Sequence, residues 1–100
     1  MDGQLVSYYE TGDSAQIVVS VAVGAGDDIV GSSAIESADS VRVSIRVRKA
    51  TGSHTAQLLF LPAVVHLRSG LRTRAVLDAA GRPLRNLGFY RAIPTPSGTP

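Results

Sequence analysis

The chain has 100 residues and a net charge of +2, with 44% of its residues hydrophobic and 18% charged. This length and composition are typical of one globular domain with a modest core, and they leave no room for a separate catalytic domain. Cysteine is absent, which excludes disulfides and thiolate metal sites, and the longest apolar run falls far short of the ~20 residues of a membrane helix. Because valine is abundant and Trp is absent, we expect an aliphatic core built from strands.

The first half of the chain shows strand-like segments separated by turn-forming clusters. Residues 4–10 predict a first strand, and residues 15–23 form a β-branched run that predicts a strand covered on both faces. Residues 29–38 are weaker and predict only a short, irregular strand around 34–37. The segment "SVRVSIRVRK" (40–49) alternates without a break, so its apolar residues are expected on one face and its arginines on the other.

The second half begins with a loop, "KATGSHT", and continues with two apolar runs, 56–61 and 63–68, around Pro62. Proline cannot donate to a ladder, so Pro62 predicts an edge strand, a bulge or a break between strands. Residues 73–78 and 83–87 flank a hairpin-like connection in which Gly81 is available for positive φ. From residue 88 onward the pattern ends, and the sequence predicts a single β domain over 1–87 followed by a Pro/Gly-rich flexible tail over 88–100.

These segments predict an all-β fold, because no segment keeps the 3,4-spacing of an amphipathic helix. We expect a small antiparallel β-sandwich or open barrel of about 6–8 strands. The residues expected in its core are Val18, Val21, Val41, Val43, Ile45, Val47, Leu58, Phe60, Val65 and Leu77.

Charge is distributed unevenly along the chain. Residues 1–40 contain seven acidic residues and no basic residue, whereas residues 41–100 contain all ten basic residues and one acid, Asp78. Two interpretations remain open at this point. Acidic early strands can pair with basic late strands inside one fold, which the near-neutral total favours, or the basic half can form a surface for polyanions.

The glycine-rich segment 24–33, "GAGDDIVGSS", resembles a nucleotide-binding loop only in part. Ile29 stands where a dinucleotide fingerprint has its third glycine, and Ser32 stands where a phosphate loop has lysine. Asp27 and Asp28 would repel a phosphate, and two carboxylates fall short of the six or more oxygens that calcium prefers. The segment is therefore interpreted as a connection between strands.

No group of residues predicts catalysis or metal binding. Asp78 is expected to accept hydrogen bonds within the turn that follows it, paired with Arg74 or Arg82. His54 lies in a polar loop, and His66 is expected on the face opposite Val65 and Leu67; with no third histidine they form no metal signature. We predict no catalytic residue, no metal and no cofactor.

The arginines and the end of the chain are the candidate partner surfaces. Arg42, Arg46 and Arg48 share one strand face, and Phe89, Tyr90 and Arg91 interleave aromatic rings with a cation. Single-strand readers usually combine basic residues with stacking aromatics, and aromatic residues are absent from 41–59. These six residues are predicted to bind a partner, with a solvated arginine face as the alternative.

The stretch "VVHLRSGLRTRAVLDAAGRPLR" (64–85) resembles a pattern of small actinobacterial proteins of unknown function, in which an alternating strand leads into a "PLG-R-VVD-TG-PV" type ending. The matching positions are Leu71, Arg74, Ala75, Val76, Leu77, Asp78, Gly81, Arg82 and Pro83. Residues 36–47 resemble the middle of the same family, so the resemblance covers roughly 15–85. It implies a small all-β protein, often exported, without a known activity. The chain differs from some relatives in lacking a cysteine pair.

The sequence therefore predicts a non-catalytic protein-binding or structural module that binds an unidentified protein or itself. The alternative function is a nucleic-acid or polyanion binder that uses the arginine-rich second half. No signal sequence is visible, so the protein is expected to be cytoplasmic if the chain is complete and exported if a signal sequence was removed.

Overall fold

The computed structural model describes residues 3–50 and 58–90, which form seven strands and no helix. This confirms the predicted all-β class and strand number. The described residues therefore contain no helix that is long and apolar enough to cross a membrane. The strands are β1 (Gln4–Glu10), β2 (Gln16–Gly24), β3 (Asp28–Glu36), β4 (Ser40–Arg48), β5 (Leu58–His66), β6 (Ala75–Leu77) and β7 (Arg85–Phe89).

The strands form two sheets, with the orders β5-β2-β1-β7 and β3-β4-β6. The consecutive pairs β1–β2 and β3–β4 are antiparallel, and so is β2–β5, but β7 joins β1 in parallel and β6 joins β4 in parallel. Both sheets are therefore mixed, which differs from the purely antiparallel arrangement expected. The strands that form these parallel pairs, β6 and β7, come from the last third of the chain. Both are short and lie at sheet edges, where a strand pairs on one side only.

The core lies between the two sheets and is made mainly of valine. Val41, Val43, Ile45 and Val47 on β4 are buried, which confirms their predicted common face. They pack with alternate residues of β2, Ile17 to Val23, and with Val65, Leu67 and Val76. Arg42, Arg46 and Arg48 lie exposed on the opposite face of β4. The alternation of the sequence thus translates directly into an inner and an outer face.

Two predicted core residues are on the surface. Leu58 and Phe60 are 64% and 58% exposed, because the alternate residues Leu59 and Leu61 are the ones that pack against the core. The unbroken apolar run 58–61 concealed which residues face inward. Val18 is buried but lies outside the inter-sheet cluster, and Leu77 is only half-buried.

Two strands are longer than the sequence predicts. β5 runs through Pro62 as one strand of nine residues rather than two runs, and it lies at the edge of its sheet, where a missing N–H is tolerated. β3 also has nine residues. Its own sequence alternates only weakly, but it pairs with β4 along its whole length. The register shifts between Ile29 and Gly31, so one extra residue is accommodated in a bulge.

Backbone contacts join the sheets at their margins. The N–H of Gly3, just before β1, donates to the carbonyl of Ile45 on β4 at 2.7 Å. A Cβ at position 3 would lie 2.7 Å from methyl carbons of Val21 and Val47, so only glycine fits between the sheets there. The hydroxyl of Ser32 on β3 donates to the carbonyl of Val64 on β5 at 3.3 Å.

The last strand extends beyond the predicted domain boundary at residue 87. β7 continues to Phe89, and the N–H of Tyr90 donates to the carbonyl of Glu10 at 2.8 Å. Gly88 adopts a φ of 92°, which glycine accepts without strain. Residues 88–90 thus belong to the four-stranded sheet, and the rest of the predicted tail lies outside the described residues.

We expect Ile45→Ala to lower the free energy of unfolding by about 2–5 kcal/mol, because this fully buried side chain would leave a cavity between the sheets. The matched control is Ile35→Ala on the neighbouring strand β3, where the side chain is 69% exposed; its effect should stay within about 0.5 kcal/mol. Urea unfolding followed by circular dichroism measures both. Equal effects of the two substitutions would contradict the described division into inner and outer faces.

Candidate binding surfaces

Ion pairs between the two halves of the chain occupy several of the charged residues. Asp27, Asp28 and Glu36 of the acidic first part pair with Lys49, Arg48 and Arg74 of the basic part, at 3.0, 2.8 and 3.2 Å. The interpretation that acidic early segments pair with basic late ones is therefore confirmed for these residues. Each such pair removes a cation from any surface available to a polyanion.

Asp27 closes the turn between β2 and β3 and is not available to a cation or a nucleotide. Its carboxylate accepts hydrogen bonds from the N–H of Ala50 and of Gly24, both at 2.8 Å, and from Lys49 Nζ at 3.0 Å. The hydrogen bond from the Ala50 N–H, together with those from Lys49 and Gly24, lowers the pKa of Asp27 from 3.8 to about 2. This side chain anchors the residues that follow β4 to the turn that connects β2 with β3.

Arg74 is a structural residue at the other end of the sandwich. Its guanidinium donates to Glu36 and to the carbonyls of Ser37, Ser69, Gly70 and Leu71. The side chains of Arg74 and Glu36 are only 10% and 13% exposed. The N–H groups of the loop that follows β5 donate to the Glu36 carboxylate, and the one from Arg68 contributes most to lowering its pKa. This network fixes that loop against β3.

Asp78 organises the tight turn after β6, as predicted. Its carboxylate accepts from the N–H of Ala80 at 3.0 Å and of Arg82 at 2.9 Å, and Arg82 Nε donates to it at 3.0 Å. The hydrogen bond from the Arg82 N–H is the main reason why the pKa of Asp78 is lowered. Arg82, rather than Arg74, is its partner, and Gly81 supplies the positive φ of the turn.

The predicted partner-binding arginines differ in what they contact. Arg48 is paired with Asp28, whereas Arg42 and Arg46 form no ion pair with any carboxylate in the described ranges. Arg46 borders a shallow polar cavity of about 200 Å³ on the outer face of the three-stranded sheet, lined also by Gly31, Ser32, Ser33 and Ser44. Hydroxyls beside one guanidinium suit a small anion. Arg42 and Arg48 lie on the same outer face of β4 as Arg46, as predicted.

The predicted aromatic residues lie on the other sheet. Phe89 ends β7 and is exposed, and Tyr90 stacks edge-on against Tyr9 of β1 with ring centroids 5.4 Å apart. Because the two sheets pack face to face, their outer surfaces point in opposite directions. The structure therefore does not bring Phe89 and Tyr90 together with the β4 arginines, and Arg91 lies outside the described residues.

The sequence analysis missed an apolar surface on the four-stranded sheet, which we call the β5–β2 face. Its ridge is the outward row of β5, in which Leu58, Phe60 and Val64 are exposed large apolar residues and Pro62 is exposed as well. Its floor is the outward row of β2, which the register sets beside that ridge. The floor residues are Val18, Ser20, Ala22 and Gly24. Alternation along residues 58–64 could have indicated this surface, but leucine occupies both even and odd positions there, so the sequence does not show which residues face outward.

The β5–β2 face has an apolar centre and few polar groups. Val18 is 4% exposed although it lies outside the inter-sheet core, because the register places it between Val64 of β5 and Tyr9 of β1. None of the ridge and floor residues carries a charge. His66, exposed at the end of the ridge with Val65 and Leu67 buried as predicted, is the nearest titratable group on β5.

The remaining predictions about chemistry concern isolated groups. The described residues contain no cluster of three or more His, Cys, Asp or Glu side chains that could hold a metal ion. His54 falls outside the described ranges. Comparison of the chain with models of protein families, with curated proteins and with solved structures gave no match. The resemblance to small actinobacterial proteins therefore stays a prediction, and the function must be inferred from the surfaces themselves.

The lowered pKa of Asp27 predicts an acid-dependent stability. Because the pKa of Asp27 in the folded chain lies below its ordinary value of 3.8, stabilisation by this carboxylate is complete above about pH 5 and is lost as the pH falls through 3.8 towards 2. We expect Asp27→Asn to lower the unfolding temperature by several degrees at pH 7 and to reduce its decrease in acid. Thermal unfolding followed by circular dichroism at a series of pH values measures both effects.

The matched control is Asp28→Asn, since Asp28 is exposed and pairs with an exposed arginine. Exposed pairs contribute little to stability, so this variant should keep the acid profile of the wild type. A profile of Asp27→Asn that runs parallel to that of the wild type at all pH values would contradict the assignment.

Proposed function

We propose that this protein is a non-catalytic protein-binding module and that the β5–β2 face is its binding surface. The observation that carries the proposal is the outward row of β5, in which Pro62 is exposed and Leu58, Phe60 and Val64 are 64%, 58% and 46% exposed. Isolated exposed apolar residues are common, but adjacent ones on a flat sheet face are typical of interaction sites. The function expected from the sequence is retained, with a different surface as its basis.

The energetics favour burial of this face. Fully burying a large apolar side chain contributes about 1.5–3 kcal/mol, so covering the exposed half of each ridge residue contributes roughly 1 kcal/mol. Ser20, Ala22 and Gly24 of the floor are small and half-buried, so they lose little side-chain entropy when a partner covers them. A partner that covers the ridge therefore gains several favourable contacts at a low conformational cost.

The chemistry of the face defines the class of partner. Its ridge and floor contain no charged residue, so phosphate groups or acidic side chains find no counter-charge there. The backbone groups of β2 are already paired with β1 and β5. The fitting partner is therefore a surface with exposed apolar side chains, which is the composition of protein interfaces at their centre.

A polyanion-binding function has weaker support. Among the described residues, four of the basic side chains are held in ion pairs, and Arg74 is largely buried. The two unpaired arginines of β4, Arg42 and Arg46, lie four residues apart on one strand. The described aromatic residues belong to the other sheet. Strong polyanion binding requires several cations on one surface.

We expect Phe60→Ser to abolish partner capture by the full chain, because it removes the largest side chain of the ridge. Immobilised wild-type and variant chains would be exposed to a lysate of the organism that encodes the protein, and specifically retained proteins would be quantified by mass spectrometry. The matched control is Phe89→Ser, which removes an equally exposed phenylalanine on the edge strand β7.

Support for the proposal is a retained protein that is lost with Phe60→Ser and kept with Phe89→Ser, with both variants showing wild-type unfolding temperatures. Retention that is insensitive to Phe60→Ser would exclude the β5–β2 face as the binding surface.

The alternative function predicts a different response. If the outer face of the three-stranded sheet binds nucleic acid, the affinity for single-stranded RNA or DNA should fall steeply with salt, and the double substitution Arg42→Ser with Arg46→Ser should reduce the salt dependence. We expect instead no measurable binding in fluorescence anisotropy at low salt. Tight binding that the double substitution abolishes would overturn the preference for protein binding.

A further inference from the structure

We propose that the partner of the β5–β2 face is a second copy of this chain, packed face to face about a two-fold axis that runs parallel to the strands. This inference rests on the proposed function and adds the identity of the partner. It follows from the sizes of the residues that the register sets side by side and from the absence of charge on the face.

The register makes the face a ridge beside a groove. In three successive outward pairs, the larger residue lies on β5 and the smaller residue lies opposite it on β2. These pairs are Leu58 with Gly24, Phe60 with Ala22, and Pro62 with Ser20. The fourth pair, Val64 with Val18, closes the groove at one end. A flat apolar face without this division would contain large residues on both strands.

A ridge beside a groove of the same length is complementary to itself. A two-fold axis parallel to the strands, placed between β5 and β2, superposes β5 of one copy on β2 of the other at the same height. Phe60 of each copy then lies over the small residues Ala22 and Ser20 of the other. An axis perpendicular to the strands would place ridge on ridge and leave the grooves empty. Only the first arrangement gives the isologous, interdigitated contact that symmetric dimers use.

The absence of charge permits this contact. Residues close to a two-fold axis lie near their own counterparts, so charged residues beside the axis would place like charges together. The outward residues of β5 and β2 are uncharged from Leu58 to Val64 and from Val18 to Gly24. Two copies therefore approach without electrostatic repulsion at their centre.

The area indicates a weak dimer. The nine residues of β5 span about 30 Å, and the two strands of the face cover about 10 Å, which gives a footprint of roughly 300 Å² per copy. Two copies together bury about 600 Å², which is below the roughly 1,000 Å² of stable interfaces. We therefore expect a reversible, concentration-dependent dimer rather than an obligate one.

The edge of β5 offers a less suitable contact than its face. The Ser32 hydroxyl of β3 already donates to the Val64 carbonyl, so the outer rim of β5 lies against the other sheet. Strand addition by a second copy would have to displace β3 from this position. Face-to-face packing leaves every described ladder intact.

Sedimentation equilibrium of the full chain, from micromolar concentrations to about 1 mM, tests the dimer. We expect the wild type and Phe89→Ser to shift from monomer to dimer over this range, and Phe60→Ser to stay monomeric. The decisive variant is Ala22→Phe, which adds apolar surface but fills the groove. Specific packing predicts at least a tenfold weaker dimer, whereas unspecific stickiness predicts a stronger one. The unfolding temperature of each variant verifies that the domain is intact.

The orientation is tested by paramagnetic relaxation. Since the chain has no cysteine, the variant His66→Cys can be labelled with a single nitroxide. The labelled variant is mixed with ¹⁵N-labelled wild type that carries no nitroxide. The parallel axis places the label over the Gln16 end of the partner's β2, so amide signals there should weaken while those near Gly24 remain. The reverse pattern would overturn the proposed symmetry.

The two proposals fail separately. A wild-type chain that remains monomeric at about 1 mM, or a dimer that Ala22→Phe strengthens, overturns the second copy as the specific occupant. If Phe60-dependent capture of another protein persists in that case, protein binding by the β5–β2 face stands with a different partner. If neither dimer nor capture is found, both proposals are overturned.

Discussion

The structure depends on one packing interaction, the contact of the inward valines of β4 with those of β2 between the two sheets. With so few aromatic residues, the core is filled by short, stiff side chains. The sheets can therefore come close together, and the space between them does not accommodate added atoms. Gly3 shows how close they are, because a single added methyl group there would overlap Val21 and Val47. Everything on the outer surfaces follows from which residues this core draws inward.

Several charged residues stabilise the margins of the core. Asp27, Glu36 and Asp78 each accept backbone N–H groups at a turn and each pair with a cation. A carboxylate held by backbone donors is a structural element, and its arginine or lysine partner is thereby removed from the pool available to a ligand. The uneven charge of the two halves thus reflects in part contacts across the fold, in which Arg48, Lys49 and Arg74 pair with acids of the first part of the chain.

Sequence reasoning predicted the fold class, the core face of β4, the turn at Asp78 and the exposure of His66, because each follows from a period of two or from local hydrogen bonding. It did not predict the length of β3 or the parallel partners of β1 and β4, since these depend on residues distant in the chain. The candidate surface was missed for a related reason. Leu58 and Phe60 are as apolar as Leu59 and Leu61, and only the pairing with β2 decides which pair is buried.

The amino-acid sequence by itself determined that this chain adopts an all-β fold with an aliphatic core, because composition and strict alternation act over a few neighbouring residues. The tertiary structure alone decided that the arginines of β4 and the aromatics of β7 face opposite ways. It also decided that β5 presents a ridge beside the small residues of β2. These features arise from strand order and register, which are set by contacts between segments more than thirty residues apart.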